Sequence, residues 1–333
     1  MKLSIVILCW NDRRVIEDCL RSIFANTHST EFEVIVSDNG STDGSIEFIR
    51  SSYPMLRVIE NGRNLRFSKA NNIGIQASGG EYVLILNPDT IIHDGTLDRM
   101  ITFADQHPGA GAFGCRVLNS DGSYQQSARA FASFRDEWIT ALYLHGLGRL
   151  RKAFTANDYS EWNGTTERKV DWISGCFILA RGSLLKAING FDEQFFYYYE
   201  DQDLCKRIWQ TGHSILYTPS ATITHLGGQS TKSRAPALAF VLDGQVTRYL
   251  YHYKYSGVRG LHRARRIGLV AAFVRRIGYG VKQAVHPTEG GRKRLEVFRG
   301  LFEWQRRVDP MRLVESGEEP RLQIKLVGRV AER

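Results

Sequence analysis

The apolar residues of the first hundred positions alternate between two repeats. Four short runs, at 2–8, 32–37, 56–60 and 81–86, are rich in Ile, Val and Leu and read as strands. Between them the spacing lengthens to that of a helix, and Val15, Ile16, Cys19, Leu20, Ile23 and Phe24 share one face of 14–24. Ser41, Thr42 and Asp43 can cap a second helix that passes through Phe48 and Ile49, and Ser68 a third that ends near residue 77. A fourth helix is expected over 96–106. Such alternation predicts an α/β domain with a doubly wound parallel sheet. Ligands of these sheets bind beyond the carboxyl ends of the strands. This chain places Trp10-Asn11, Asp38-Asn39 and Asn87-Pro88-Asp89 there.

The pattern breaks at 119–170, a stretch of Gly, Ser, Asn and Arg that reads as a long functional loop. A strand returns at 172–180, followed by a turn at 190–193, a short helix at 201–210 and two closing strands at 214–217 and 221–225. From 235 to 312 the chain reads as successive helices. The expected division is an α/β domain over 1–234 and a basic, mainly helical region over 235–333.

Charge sharpens that division. The net charge is +9, yet 1–234 hold 24 Lys and Arg against 26 Asp and Glu, whereas 235–333 hold 20 against 9. Basicity belongs to the tail, which therefore has its own task. A hydrophobic content of 43% with 24% charged residues excludes a disordered chain. Cys9, Cys19, Cys115, Cys176 and Cys205 lack CxxC spacing, which argues against a disulfide framework or zinc knuckle and suits a reducing compartment. The apolar run at 3–8 is cut off by Asn11, Asp12, Arg13 and Arg14, too early for a secretory leader. No run reaches the ~18 apolar residues needed to span a bilayer. A cytoplasmic location is expected.

The candidate chemistry is carboxylate chemistry. Asp89 follows a buried strand, and Pro88 stops that strand and exposes the acid, either as a ligand for Mg²⁺ beside a diphosphate or as a turn cap. Asp38 can accept hydrogen bonds from a nucleobase or ribose, or close an Asx turn. Trp10 can stack on a base or fill the core, and Arg66 can meet a diphosphate or stay solvated. Glu200, Asp201 and Asp203 crowd together after the aromatic run 195–199. Crowding and apolar surroundings raise carboxylate pKa values towards those of a general base, although acids also favour helix starts. The aromatic run can line a sugar pocket. His225 ends a strand before Gly227-Gly228 and suits either a metal or a structural role.

Taken in order, these residues resemble the inverting glycosyltransferases of family 2, in the bacterial rhamnosyltransferase-like branch. The matching stretches run from Ser4-Ile5-Val6-Ile7-Leu8-Cys9-Trp10-Asn11 and Val36-Ser37-Asp38-Asn39-Gly40-Ser41-Thr42-Asp43-Gly44-Ser45 to Asn71-Asn72-Ile73-Gly74 and Leu86-Asn87-Pro88-Asp89. They continue with Trp172-Ile173-Ser174-Gly175, Gly190-Phe191-Asp192, 195–203 and His225-Leu226-Gly227-Gly228-Gln229-Ser230. The resemblance implies a GT-A fold, a Rossmann-like mixed sheet, and transfer of a sugar from a dTDP- or UDP-sugar to a hydroxyl of a saccharide or lipid-linked acceptor in cell-surface polysaccharide synthesis. Rhamnose is the first expectation for the sugar, with a UDP-hexose or galactofuranose donor as the alternative.

By the same resemblance Asp201 is the base, with Glu200 as its substitute. The donor set is Trp10, Asn11, Asp38, Arg66, Asn71 and Asn87; Asp89 and His225 hold Mg²⁺ or Mn²⁺; and Trp172, Tyr199 and Asp203 meet the acceptor. Three departures stand out. The family's acidic triplet is reduced to Asn87-Pro88-Asp89, Trp10 replaces a tyrosine, and Arg66 stands where this branch often has glycine. In the tail, Arg265-Arg266 and Arg275-Arg276 bracket an apolar stretch that is short for a span and suits the membrane interface, so peripheral attachment is expected. A basic nucleic-acid-binding protein is the rival class, but the acidic site candidates lie in the domain that lacks the basicity.

Overall fold

The computed structural model describes residues 1–144, 159, 162–196, 198–227 and 238–316. Tyr197, the Gly228-Gln229-Ser230 end of the last motif and residues 317–333 fall outside them. Two compact units emerge. The first comprises Met1–Phe131, Tyr159–Glu193 and Glu200–Gln229; the second comprises Ala132–Asp158, Gln194–Tyr199 and Ser230–Arg333. These units differ from the expected 1–234 and 235–333 division, since 132–158, 194–199 and the chain from Ser230 group with the helical unit.

In the first unit, β1 (Leu3–Cys9), β2 (Phe32–Asp38), β3 (Arg57–Glu60) and β4 (Tyr82–Leu86) are parallel in the order β3-β2-β1-β4. Helices α1 (Arg13–Asn26), α2 (Ser45–Ser52) and α3 (Arg66–Ala77) connect them. The two-residue repeat of the strands feeds two cores. Leu3, Ile5 and Ile7 pack with Ile16, Leu20 and Ile23 of α1, while Val6, Val83 and Ile85 pack with Ile75 of α3 on the other face. Because β1, β2 and β4 are parallel and in register, their carboxyl ends reach one edge.

Beyond β4 the sheet becomes mixed. After β5 (Thr90–Ile92), α4 (Thr96–Gln106) and β6 (Ala110–Leu118), the chain forms β7 (Tyr124–Gln125) and β8 (Ala128–Arg129). β11 (Phe177–Arg181) runs antiparallel to both β4 and β6, and β12 (Ser214–His225) lies beside β6. β9 (Arg168–Lys169) pairs with β12, and β10 (Trp172–Ile173) pairs with β8 in a separate ribbon. Helices α6 (Gly182–Ala187) and α7 (Glu200–Gln210) pack Leu184, Leu185, Leu204 and Ile208 into the second core.

Several expectations need correction. The stretch 119–170 is not one loop: it holds β7, β8, β9 and α5 (Phe134–Ala141), whose strands are too short to show a repeat. The strand expected over 172–180 is two, because the chain turns at Ser174-Gly175-Cys176. The two closing strands are one, with a register irregularity between Thr218 and Thr222. Ser68 lies inside α3 rather than at its cap, which falls at Leu65.

The second unit is helical, as expected: α8 (Leu238–Val285), α9 (Glu289–Arg307) and α10 (Pro310–Ser316), with α8 broken at Gly257, where φ is 60°. Leu242, Val246, Tyr249, Leu261, Leu301 and Trp304 form its core.

Candidate active site

The three parallel strand ends build a hydrogen-bonded shelf. Asn11, itself at φ 58°, receives the Thr42 N–H on Oδ1 at 2.8 Å and donates its own N–H to Ser41 Oγ at 2.9 Å, which ties the β1 and β2 loops together. Asp38 is only 2% exposed. Its carboxylate accepts the Gly40 N–H, the Ser41 N–H and the Ser41 hydroxyl at 2.6 Å, so the Asx turn is present and orders the loop. Asn39 extends this network, donating to the Arg66 carbonyl at 3.3 Å and accepting the Leu65 N–H at 3.2 Å. Arg66 opens α3 in the left-handed region, φ 72°, a strained setting for a non-glycine residue. Trp10 stays exposed above the shelf.

At the end of β4 the chain turns through Asn87-Pro88-Asp89 into β5. Asp89 is not exposed as expected: the antiparallel pairing of β5 with β12 folds it back against His225. Asp89 Oδ1 lies 3.2 Å from His225 Nε2, with side-chain exposures of 13% and 15%. Asn87 Nδ2 is 3.4 Å from the same nitrogen. Gln125 Oε1 meets His225 Nδ1 at 2.9 Å. With Gln125 accepting, Nδ1 carries the proton and the Nε2 lone pair converges on the carboxylate. That convergence is favourable only with a proton or a cation between the two. One carboxylate, one imidazole and the oxygens of a diphosphate are donors that suit Mg²⁺ or Mn²⁺. Among the described residues no group of three or more His, Cys, Asp or Glu could hold a metal alone.

The second acidic cluster opens α7. Asp201 Oδ1 accepts the Gln202 N–H at 2.7 Å, and its Oδ2 accepts the Gly175 N–H at 3.2 Å. Glu200 Oε2 is buried without a hydrogen-bond partner among the described residues. Burial raises both carboxyls above the ordinary range, their mutual repulsion raises Glu200 further, and Arg129 opposes the rise at Asp201. The two clusters meet through the turn that precedes β11. Gly175 holds Asp201, and the next residue, Cys176, accepts the Asn87 N–H on its carbonyl at 3.1 Å. Burial raises the Cys176 thiol to about 12, and both Asp89 and Asp201 add to that rise. A Cβ on Gly175 would lie 3.2 Å from Phe67 of α3, so the turn is closely packed.

Other expected residues are spent on structure. Asp203 is fully buried and paired with Arg207 at 2.8 Å, whose other nitrogens bind the Ile188 and Gly190 carbonyls. Through Arg207 it braces the 190–193 turn. Asn71 is 1% exposed and donates to the Phe67 carbonyl, a bond within α3. The aromatic run does not line a pocket with its first members. Phe195 packs on Leu250 and Tyr251, and Phe196 joins the core of the helical unit. Tyr199, at φ 67°, lies 5.0 Å from the Tyr251 ring within that unit. Trp172 keeps partial exposure and donates its indole N–H to the Ala130 carbonyl at 2.8 Å.

Two site residues escaped sequence reading. Asp12 turns back to accept the Trp10 N–H at 2.7 Å, and burial with Asp89, Asp43 and Asp38 nearby pushes its carboxyl up to about 6. Its position two residues beyond Trp10, at the start of α1, was the available signal. Gln125 offered none, since its strand has two residues.

Comparison with known proteins agrees with this fold. The profile of Glycosyl transferase family 2 matches residues 4–172. The N-acetylglucosaminyl-diphospho-decaprenol L-rhamnosyltransferase of Mycobacterium tuberculosis is 32% identical over 237 residues, covering 67% of this chain and 76% of that protein. Rhamnosyltransferase WbbL of Escherichia coli is 27% identical, covering 65% and 82%. In fold the chain is similar to the mannosyltransferase PcManGT from Pyrobaculum calidifontis, solved with GDP-Man and Mn²⁺, at a TM-score of 0.51 and 16% identity over 90% of this chain and 84% of that one. The mixed sheet is thus the GT-A fold expected above. The nucleic-acid-binding reading is not favoured, and this chain belongs to glycosyl transferase family 2.

Proposed function

We propose that the enzyme is an inverting rhamnosyltransferase that uses dTDP-rhamnose and a lipid-linked saccharide acceptor in cell-surface polysaccharide synthesis. The observation that carries this is the turn at Gly175-Cys176, which ties the donor-side Asn87-Pro88-Asp89 and the acceptor-side Asp201 to consecutive residues. The rhamnose is supported by the names of both relatives, and the lipid-diphosphate acceptor by that of the mycobacterial one. Trp10 stacks on the nucleobase, while Asn11, Asp38 and Arg66 shape the loops that receive the donor. Asp89 and His225 hold the cation, which when bound neutralises the departing nucleoside diphosphate. Asp201, kept in line by the Gly175 N–H, takes the proton from the acceptor hydroxyl as that oxygen attacks the sugar from the opposite face. Trp172 supports the acceptor.

Thermal shift tests the donor side. dTDP-rhamnose with Mn²⁺ should raise Tm more than UDP-sugars do, and Asp89→Ala should remove the Mn²⁺-dependent part of the rise. A rise that is equal without metal and unchanged in Asp89→Ala would refute the cation assignment.

No described helix is long and apolar enough to cross a membrane. Peripheral attachment to an anionic, cytoplasmic leaflet fits one face of α8. Phe273, Ile277, Val281 and Val285 recur every fourth residue at 45–64% exposure, and the exposed Arg259, His262, Arg263 and Arg266 continue the same face. A cationic stretch joined to an apolar stripe matches anionic lipid, each basic residue contributing about 1 kcal/mol. Flotation with phosphatidylglycerol vesicles should recover the chain, and the double change Ile277→Asp and Val281→Asp should abolish recovery. Undiminished flotation, or loss of a dimer instead, would assign the face to another occupant.

A further inference from the structure

We propose that Arg129 binds the diphosphate of the acceptor, so that the site selects acceptors carried on a lipid diphosphate over neutral glycans. This rests on the acceptor reading above. Arg129 ends β8 directly opposite Trp172 of β10, and its guanidinium stands 5.9 Å from the Trp172 ring. It is exposed. Among the described residues it has no carboxylate partner and no side-chain hydrogen bond, only this ring and longer-range fields. Neighbouring cations are committed otherwise. Arg116 is bound to the Asn163 and Gly164 carbonyls, Arg168 lies over Tyr159 and Trp162, and Lys169 over Trp209.

The strand that carries Trp172 leads, three residues on, to Gly175 and its bond to Asp201. Arg129 is also close enough for its charge to act on the Asp201 carboxyl. A guanidinium that stacks on an indole keeps its N–H edge free, and that planar edge is the group suited to bidentate binding of phosphate oxygens. The reaction brings two diphosphates to the enzyme. The donor's already has Asp89 and His225 with their cation at the end of β4. The ribbon of β8 and β10 belongs to the acceptor side, beside the base, which leaves the acceptor's diphosphate for Arg129.

The test uses the full chain and two short-chain probes, farnesyl-diphospho-N-acetylglucosamine and the neutral farnesyl N-acetylglucosaminide, with Arg129→Gln and Arg129→Lys. Binding is measured by calorimetry without donor, so failure of the donor assignment leaves the readout intact. Arg129→Gln should weaken binding of the diphosphate probe by roughly ten- to a hundredfold and leave the neutral probe unchanged, with Arg129→Lys in between. In turnover, KM for the acceptor should rise while KM for the donor holds. The acid limb of the pH profile should move up, because Asp201 loses a cation that stabilises its charged form. Equal weakening of both probes would overturn the proposal in favour of a packing role at Trp172. A raised donor KM with acceptor binding unchanged would overturn it in favour of the donor's diphosphate. Wild-type binding that does not distinguish the two probes would also overturn it.

Discussion

Asp201→Asn is expected to lower kcat by roughly 10²–10⁴-fold, the usual contribution of a positioned general base, without unfolding the enzyme. The carboxamide is isosteric and its oxygen still accepts the Gly175 N–H, so the turn that joins the two clusters is preserved. What is lost is the capacity to take a proton, together with the local bond from the Gln202 N–H, worth about 1 kcal/mol. Glu200→Gln is expected to keep turnover near wild type, because the Glu200 Oε2 has no partner among the described residues and Asp201 holds the aligned position. If instead Glu200→Gln abolishes transfer and Asp201→Asn does not, the base is Glu200. The pH dependence follows from the raised carboxyls. The base works deprotonated, so the rate falls with pH as Asp201 protonates, and that fall should lie above the ordinary carboxylate range. Stability runs in the opposite sense. A carboxyl whose folded pKa is raised contributes fully below its unfolded pKa, and the contribution is lost as pH rises through the folded value. Glu200→Gln should therefore raise Tm at neutral pH, with the gain shrinking in acid. A pH-independent gain would show that charge burial is not its cause.

How far the site could be read in advance depended on where a residue's partners lie. Residues whose position follows from a strand end were legible: the alternation of 1–106 places Trp10, Asp38 and Asp89 at one edge of a parallel sheet whatever their contacts. Partners brought in by the antiparallel half were not. His225 was visible as a strand end, but its convergence on Asp89 requires the β5–β12 pairing, and the Thr90–Ile92 strand has only three residues. Gln125 and Gly175 act through two-residue strands and a turn, where no repeat can develop. Asp203 shows the reverse case. It sits two residues from Asp201, but helical geometry turns it to the opposite face, where Arg207 at i+4 neutralises it. Proximity in sequence suggested shared chemistry, and the helix separated the two.

The buried ion cluster of the helical unit is where a single substitution should cost most stability. Glu137 of α5 forms a fork with Arg248, Oε2 to Nη2 at 2.6 Å and Oε1 to Nε at 3.0 Å, and its Oε1 also meets His252 Nε2 at 2.7 Å. All three side chains are at most 12% exposed. Phe134 stacks on the His252 ring at 4.6 Å, and Arg248 continues to Gln245 and Gln305. Burial works against the Glu137 charge, but the bonds to His252 and Arg248 outweigh it and hold the carboxyl at about 2. Its folded pKa is therefore below the unfolded one, so its contribution is present above the ordinary carboxylate range and is lost as pH falls towards 2. Glu137→Gln leaves Arg248 charged, buried and half-satisfied, and the expected loss is about 3–5 kcal/mol in urea unfolding at neutral pH. The loss should shrink in acid, where wild-type Glu137 is itself protonated. Adding Arg248→Met to Glu137→Gln should recover much of it, because removing both charges also removes their desolvation cost. If the double substitution is no more stable than the single one, the cluster is held by packing around Phe134 and His252 rather than by charge.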